Sequence, residues 1–427
     1  MPKKTIRYHI VTYGCQMNKS DSERIAGLLE SIGYCQSLTP EKADLLVLNA
    51  CSVRQSAIDR IYGWAKKLQS NNRKPKTILT GCILEKDKKR LEQRFDLVLS
   101  IKDLPVWPEK LTSKTSINTK TDNGCEYLKT PPLYQTKFSA NVPVSSGCNN
   151  FCSYCVVPYA RGKETCRPAK EIIKEVKNLV NKGYKEIWLL GQNVNSYRAP
   201  DNKKIDFPAL LIAINKLKGN FWIRFTSSHP KDFSDRLIKT MAECEKVTES
   251  LNLPVQSGDD EVLKKMKRPY TVAHYKKLIR KIRKAIPNIT LSTDIIVGFP
   301  GETKKQFQNS LKLFKEIKFD MAYIAEYSQR NGTAAAKLKD NVSLKEKKSR
   351  QHALTQVLRK TALEKNQVYI GKEIVVLSEK WDKGYLSGKS REYKSVKFNG
   401  KKSLVGKFVK VRVTSALPWG LKGELAK

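Results

Sequence analysis

The feature of this 427-residue chain that most restricts its fold is the run SSGCNNFCSYC, which sets Cys148, Cys152 and Cys155 in a C-x3-C-x2-C pattern. Three thiolates crowded into one short loop can wrap a single metal centre. A structural zinc site asks for four ligands in a closed tetrahedron. No fourth local ligand is evident, because Cys166 lies across a loop containing Pro158 and Gly162. An iron–sulfur cluster accepts three protein thiolates when its remaining iron binds something else.

A second set is dispersed: Cys15 in TYGCQMN, Cys51 in LNACSVR and Cys82 in LTGCILE. Each follows the carboxyl end of a strand-like run, one strand–helix unit apart. Right-handed crossovers in a parallel sheet bring all three to the same edge, which is where open α/β sheets hold ligands. Any one of these thiols alone reads as core. Three at equivalent positions read as a second three-thiolate cluster site. Cys35, Cys125, Cys166 and Cys244 share no spacing and read as ordinary thiols.

The strands that carry these cysteines are legible. Arg7 to Tyr13, Ala43 to Ala50, Lys76 to Thr80 and the run DLVLSI alternate with helical stretches. The first helix is expected to start at a capping box of Ser20 and Glu23, with Ile25, Leu28, Leu29 and Ile32 on one face; the second runs through Ile58, Ile61 and Trp64. Alternation with apolar strands indicates a small parallel α/β domain. Ile101 to Ser139, rich in Lys, Thr, Asn and Pro, reads as a linker.

A second alternating series follows, with strands VPVSS, EIWLLG, FWIRFTSS, SLNLPVQ, ITLSTDIIVGF and MAYIAEYS and amphipathic helices such as Ile172, Val176, Leu179 and Val180. Six units are too few for an eight-stranded barrel and suit a partial, open (β/α)6 one. A charged helix from about Ser343 to Asn366 leads out of it. From Gln367 the chain turns to short β runs, a small all-β barrel. The fold class is therefore multidomain α/β with a C-terminal β barrel.

Charge bears on the partner. The chain holds 81 Lys and Arg against 41 Asp and Glu, a net +40. A lysine-rich composition spread over every surface is the plain explanation; a polyanion, bound with release of counterions, is the sharper one. The C-terminal 61 residues favour the second. They carry 14 Lys or Arg and 5 acids, interleaved with Trp381, Tyr385, Tyr393, Phe398, Phe408 and Trp419, the mixture that stacks bases and pairs phosphates. With 40% hydrophobic residues the chain can build cores, which excludes wholesale disorder. It has no apolar run of about 20 residues to span a bilayer. MPKKTIRYHIVTYGC lacks the apolar region of a secretory signal. A soluble, cytoplasmic protein without membrane contact is expected, in which ten cysteines are metal ligands or thiols rather than disulfides.

With both cysteine sets in place, a resemblance emerges. C-x3-C-x2-C at the start of a partial α/β barrel is the signature of radical S-adenosylmethionine enzymes. Strand-end cysteines before it and a basic β module after it make the whole chain resemble the methylthiotransferase family. YGCQMNKSDSERIAGLL, NACSVRQSAIDRIYG, CSYCVVPYARG, LPVQSG and STDIIVGFPGET are similar to the MiaB-type branch, which adds a methylthio group to C2 of N6-isopentenyl (dimethylallyl) adenosine at position 37 of tRNA. LSGKSREYKSVKF resembles the TRAM domain, an RNA-binding β barrel, with Lys-Ser where that motif more often has Arg-Thr.

The resemblance implies residues 5–121 as the N-terminal methylthiotransferase domain, 134–364 as the radical core and 367–427 as the TRAM-like domain. It implies that Cys148, Cys152 and Cys155 hold a [4Fe–4S] cluster whose open iron binds the methionyl end of S-adenosylmethionine, and that one electron then yields a 5′-deoxyadenosyl radical. Cys15, Cys51 and Cys82 would hold an auxiliary [4Fe–4S] cluster carrying the sulfur. Tyr154 would lie near the adenine, Gly191, Gln192 and Asn193 near the methionyl group, and Gly298 and Glu302 in a later part of the cofactor pocket. No side-chain acid or base is implied as catalytic. Implied partners are tRNA, an electron donor such as flavodoxin or ferredoxin, and a sulfur source. Sister branches act on threonylcarbamoyl-adenosine of tRNA or on an aspartate of a ribosomal protein, but Gln16, Met17 and Asn18 match the isopentenyladenosine branch. A non-catalytic iron–sulfur RNA-binding protein is the alternative of a different class, and it leaves the S-adenosylmethionine features unexplained.

Overall fold

A computed structural model describes residues 5–51, 57, 59–64, 74–112 and 124–426. Its first part is a parallel sheet of β1 (Arg7–Tyr13), β2 (Cys35–Gln36), β3 (Leu45–Cys51), β4 (Lys76–Cys82) and β5 (Leu97–Val98), in the order β2-β1-β3-β4-β5. All seven residues of central β3 are buried. That is why its sequence is an unbroken apolar run rather than an alternating one. Separate apolar clusters cover the two faces, one around Ile25, Leu29 and Trp107 and the other around Ile61, Leu91 and Phe95.

Two sequence expectations are corrected here. The first helix, α1 (Gln16–Ser31), starts one turn earlier than Ser20: Cys15 is its N-cap, in a reciprocal capping box with Asn18. Ser20 and Glu23 are instead buried within the helix. The stretch expected as a linker is largely built into the first domain. Ile101, Leu104 and Trp107 recur every third residue on consecutive short helical segments (Ile101–Val106, Trp107–Thr112) and enter the core with Tyr127 and Leu128. A period of three suits the 3₁₀ geometry of the first segment and escapes a search for the α-helical period. In the second expected helix, residues 59–64 are helical and Ile61 is buried; Ile58 and residues 113–123 lie outside the described residues.

The second part holds two three-stranded parallel sheets. One contains β6 (Ser139–Pro143), β9 (Glu186–Leu190) and β10 (Trp222–Phe225); the other contains β11 (Ser250–Asn252), β12 (Thr290–Val297) and β13 (Met321–Glu326). A bridge between Ile223 and Val247 joins them, giving the expected open half-barrel of six strands around one large apolar core. A two-stranded ribbon, β7 (Ser145–Ser146) with β8 (Thr165–Cys166), brackets the cysteine loop. The helix α2 (Val157–Arg161) follows that loop, and α3 (Leu344–Gln367) leads out of the barrel.

The third part is a closed barrel of β14 (Glu373–Asp382), β15 (Tyr385–Ser390), β16 (Ser395–Asn399), β17 (Phe408–Leu417) and β18 (Gly420–Leu425). It docks on the half-barrel through Arg224 of β10. This buried guanidinium pairs with Glu186 at 2.6 Å, donates to the carbonyls of Ser390 and Arg391, and lies 4.9 to 5.8 Å from the ring centres of Trp188, Trp222 and Tyr393.

Next to β6 the half-barrel meets α1. Glu23 accepts the Gln135 N–H through Oε1, while the Leu133 N–H bonds to its backbone carbonyl. Its Oε2 is buried without a partner, and burial raises the carboxyl from 4.5 to about 7. A raised carboxyl binds its proton more tightly in the folded chain, so its stabilising contribution is complete below about pH 4.5 and is lost as pH rises through 7. Glu23→Gln should therefore flatten the loss of stability between these pH values and leave the apo chain more stable above pH 7, by up to about 3 kcal/mol. Urea midpoints across the pH series check this; parallel curves for the two proteins would contradict it.

Candidate active site

The carboxyl edge of the first sheet gathers one set of cysteines. Cys51 and Cys82 end β3 and β4 directly opposite each other in register. Gly81, at φ +111°, lets β4 come so close to β3 that an added Cβ would stand 2.1 Å from the Ala50 carbonyl oxygen. Cys15 caps α1 just beyond β1. Asn18, fully buried, threads the three ends together. Its Oδ1 accepts the Cys15 N–H at 3.3 Å, and its Nδ2 donates to Asn49 Oδ1 and the Ala50 carbonyl and lies 4.0 Å from Cys82 Sγ. A hydrogen bond with Cys51, then burial, holds the Cys82 thiol well above its usual range. The Cys15 thiol is within electrostatic reach of Cys82 and Arg161.

The other set occupies the loop after β7. The Cys155 N–H bonds to the Cys152 carbonyl at 3.0 Å, and the Asn150 N–H approaches Cys148 Sγ at 3.4 Å. Arg268 donates to Cys152 Sγ at 3.5 Å. Burial pushes the Cys155 thiol up to about 12 and raises Cys148 as well, with neighbouring Cys152 adding to both. No three His, Cys, Asp or Glu side chains among the described residues converge closely enough for a single ion. Sulfurs spaced around a cluster stand further apart than sulfurs around one ion, and here backbone or guanidinium N–H groups already point at Cys82, Cys148 and Cys152. Donors of that kind stabilise thiolate ligands of a cluster, so both sets fit the group that the sequence implies.

The remaining candidates surround the mouth of the half-barrel. Gln192 Oε1 and Asn193 Oδ1, after β9, are buried without partners, as are Ser145 Oγ, Asn195 Nδ2, Ser228 Oγ and His229 Nε2. Asn193 Nδ2 donates to Asp232 at 2.7 Å. Gly191 lies against Ser145, whose Oγ would stand 2.8 Å from an added Cβ. Burial, reinforced by Arg268 and Lys231, drops the His229 imidazole to about 2. The ring is thus neutral, and since Nδ1 accepts the Lys231 N–H, the proton sits on Nε2. So many orphaned buried groups of both hydrogen-bonding senses fit a polar small molecule at this mouth. They are the residues that sequence reasoning missed beyond Gln192 and Asn193. For Ser228 and His229 the string TSSHP after a strand was the only signal.

Tyr154 packs its ring against the cluster of Val262, Met266, Phe299, Tyr327 and Ala335, and burial raises its phenol far above the usual range. Glu302 is otherwise committed. Its Oε2 accepts the Gly298 N–H at 2.6 Å and the Arg350 guanidinium of α3 at 2.6 Å. The pair ties the glycine loop to the exit helix. Gly298 has φ +68°, and an added Cβ would stand 2.4 Å from Lys347 Cγ.

The aromatic residues of the C-terminal barrel divide. Phe398 is core, Tyr393 packs on Trp188 and Phe408 on Trp222. One of the six rings is thus barrel core and two are taken by the contact with the half-barrel. Trp381, Tyr385 and Trp419 remain exposed, with Lys397 Nζ 4.3 Å from the Tyr385 ring centre.

Comparison with known proteins agrees with this geometry. Residues 142–314 match the Radical SAM superfamily, residues 7–101 the uncharacterized protein family UPF0004 and residues 367–426 the TRAM domain. The chain is 44% identical over 435 residues to the tRNA-2-methylthio-N(6)-dimethylallyladenosine synthase of Clostridium novyi (strain NT), covering 98% of this chain and 96% of that protein. It is 42% identical over 445 residues to the protein of the same name from Dictyoglomus thermophilum (strain ATCC 35947 / DSM 3960 / H-6-12), covering 100% and 99%. Among solved structures it is similar in fold to the radical S-adenosylmethionine methyltransferase TsrM from Kitasatospora setae (TM-score 0.55, 12% identity, 78% of this chain and 77% of that one). The cobalamin-dependent S-adenosylmethionine radical enzyme OxsB is also similar (TM-score 0.53, 11% identity, 84% and 56%).

Arg350→Met strands the Glu302 carboxylate in the interior, a change that costs about 3–5 kcal/mol when one member of a buried pair is removed. The double variant Glu302→Gln/Arg350→Met should lose less. Thermal midpoints of the three proteins check this, and equal losses in the single and double variants would contradict it.

Proposed function

The chain belongs to the tRNA-2-methylthio-N(6)-dimethylallyladenosine synthase family, and from that premise we propose that it inserts a methylthio group at C2 of N6-dimethylallyladenosine at position 37 of tRNA. It is an enzyme that uses S-adenosylmethionine and [4Fe–4S] clusters. The observation that supports this reading is that Arg161, on the helix just after the Cys148–Cys155 loop, donates to the Cys82 sulfur at 2.8 Å, so the two sets of three cysteines lie on neighbouring parts of the fold. Together the clusters and S-adenosylmethionine supply the one-electron chemistry that an unactivated aromatic C–H bond requires, beyond the reach of an acid or base.

The chain's own residues divide the work. Cys148, Cys152 and Cys155 hold the cluster that receives S-adenosylmethionine, and Arg268 supports the Cys152 sulfur. Gln192, Asn193 and His229 offer buried polar atoms to the methionyl and ribose groups, and Gly191 lets the strand end pack against Ser145. Tyr154 presents an apolar wall on the adenine side. Gly298 shapes the pocket floor, while Glu302 acts indirectly by holding the Gly298 N–H. Cys15, Cys51 and Cys82 would hold the auxiliary cluster, which would supply the sulfur chemistry. Residues 5–121, 134–364 and 367–427 are the corresponding functional units. Trp381, Tyr385 and Trp419, among the barrel's lysines, take the tRNA by stacking and phosphate pairing. A flavodoxin or ferredoxin supplies electrons, a separate donor supplies sulfur, and the reaction runs in the cytoplasm; no helix among the described residues is long and apolar enough to cross a membrane.

Iron counts and product analysis test the reading together. The anaerobically reconstituted parent should bind about eight irons per chain, and Ala variants of either cysteine set about four. Replacing Cys148, Cys152 and Cys155 should abolish S-adenosylmethionine cleavage. Replacing Cys15, Cys51 and Cys82 should spare some cleavage but stop methylthiolation. A parent with about four irons, or an auxiliary-set variant that still methylthiolates tRNA, would refute the assignment.

A further inference from the structure

Arg161 touches one cysteine set and stands next in the chain to a residue that touches the other. It closes α2, six residues beyond Cys155, and is 3% exposed. Its Nε donates to Cys82 Sγ at 2.8 Å, its Nη2 pairs with Asp21 of α1 at 2.6 Å, and its Nη1 donates to the Tyr127 hydroxyl at 3.3 Å. The carbonyl of the next residue, Gly162, accepts the Cys148 N–H at 3.2 Å. A path of two hydrogen bonds and two adjacent residues thus runs from the first cysteine of one set to the last cysteine of the other. Tyr127 extends the contact, its hydroxyl donating to Ser146, two residues before Cys148.

A guanidinium in this position has an electrical consequence. Cluster potentials respond to net charge, to hydrogen bonds on the sulfurs and to solvent exposure. A fixed positive charge favours the more electron-rich state of a neighbouring cluster, and burial strengthens the effect because the local dielectric is low. Asp21, on the far side of the guanidinium, opposes it. An arginine used only as a tether would need the Asp21 and Tyr127 contacts; it would not need Nε–H aimed at a ligand sulfur.

Building on the assignment of Cys15, Cys51 and Cys82 to the auxiliary cluster, we propose that Arg161 is a positioning residue which, carried on the helix of the S-adenosylmethionine site, hydrogen-bonds the Cys82 sulfur and raises the reduction potential of the auxiliary cluster. The two sites are then coupled: a displacement of the Cys148–Cys155 loop moves the charge that sets the potential of the neighbouring site.

The test uses the full-length chain with Cys148, Cys152 and Cys155 replaced by Ala, so that only the auxiliary cluster is present, and an EPR-monitored redox titration. Arg161→Met in this background should keep its iron and shift the midpoint to a more negative potential. Asp21→Asn should shift it the opposite way, a sign reversal that a merely structural tether does not produce. Unchanged midpoints in both variants would overturn the proposal. Should Arg161→Met fail to hold iron, Asp21→Asn decides: an upward shift sustains the proposal and no shift overturns it. A background protein that binds no iron would instead defeat the two-cluster reading itself, and the proposal with it.

Discussion

The buried pair between Asp21 and Arg161 is the contact on which the arrangement of the site depends. The first sheet supplies one set of thiols and the half-barrel supplies the other, and neither domain alone could face the two sets toward one substrate. Asp21 on α1 and Arg161 on α2 close that gap with a charge-assisted bond at 2.6 Å. Two charges taken out of water lose several kcal/mol of hydration each, and the pair regains this only when its remaining donors are used. Here Cys82 and Tyr127 take two further guanidinium donors, while Asp21 Oδ1 stays buried without a partner. Arg161, which pins the domains together, therefore also donates to the Cys82 sulfur.

Incompleteness of the barrel is the second constraint. Six parallel strands leave an open side, and the chain covers what it exposes with other parts of itself. The α1 helix packs beside β6 through Glu23, and Arg24 reaches Glu175, which also pairs with Arg167. The C-terminal barrel attaches around Arg224, while Lys394 and Lys365 share Asp320 beside β13. These interfaces combine buried ion pairs with apolar contacts such as Met17, Leu190 and the Trp188–Tyr393 and Trp222–Phe408 ring pairs. That suits surfaces that must hold three units in one orientation.

Much of this was legible in the chain. Apolar runs ending in Cys51 and Cys82, at a spacing of one strand–helix unit, sufficed to bring both to one sheet edge, because a parallel sheet with right-handed crossovers allows no other outcome. The half-barrel and the terminal β barrel were legible for the same reason: period and strand length survive in sequence. What was hidden depends on contacts far apart in the chain. Nothing local distinguishes Arg161 from the chain's many exposed cations, since its burial is decided by Asp21, 140 residues away. Glu302 reads as a pocket residue, yet its carboxylate is taken by Arg350 on α3. Cys15 and Asn18 form the helix cap in place of the more usual Ser20 and Glu23, because β1 ends at Tyr13 and the helix starts directly after it at Gln16. Ile101, Leu104 and Trp107 escaped notice because their period is three.

The account stands or falls on the fate of the base. Reduced, reconstituted protein supplied with S-adenosylmethionine and tRNA bearing N6-dimethylallyladenosine, followed by nucleoside mass spectrometry, measures it directly. The account predicts 2-methylthio-N6-dimethylallyladenosine as the product. S-adenosylmethionine cleavage without that nucleoside, or methylthiolation only of tRNA bearing threonylcarbamoyl-adenosine, would contradict it.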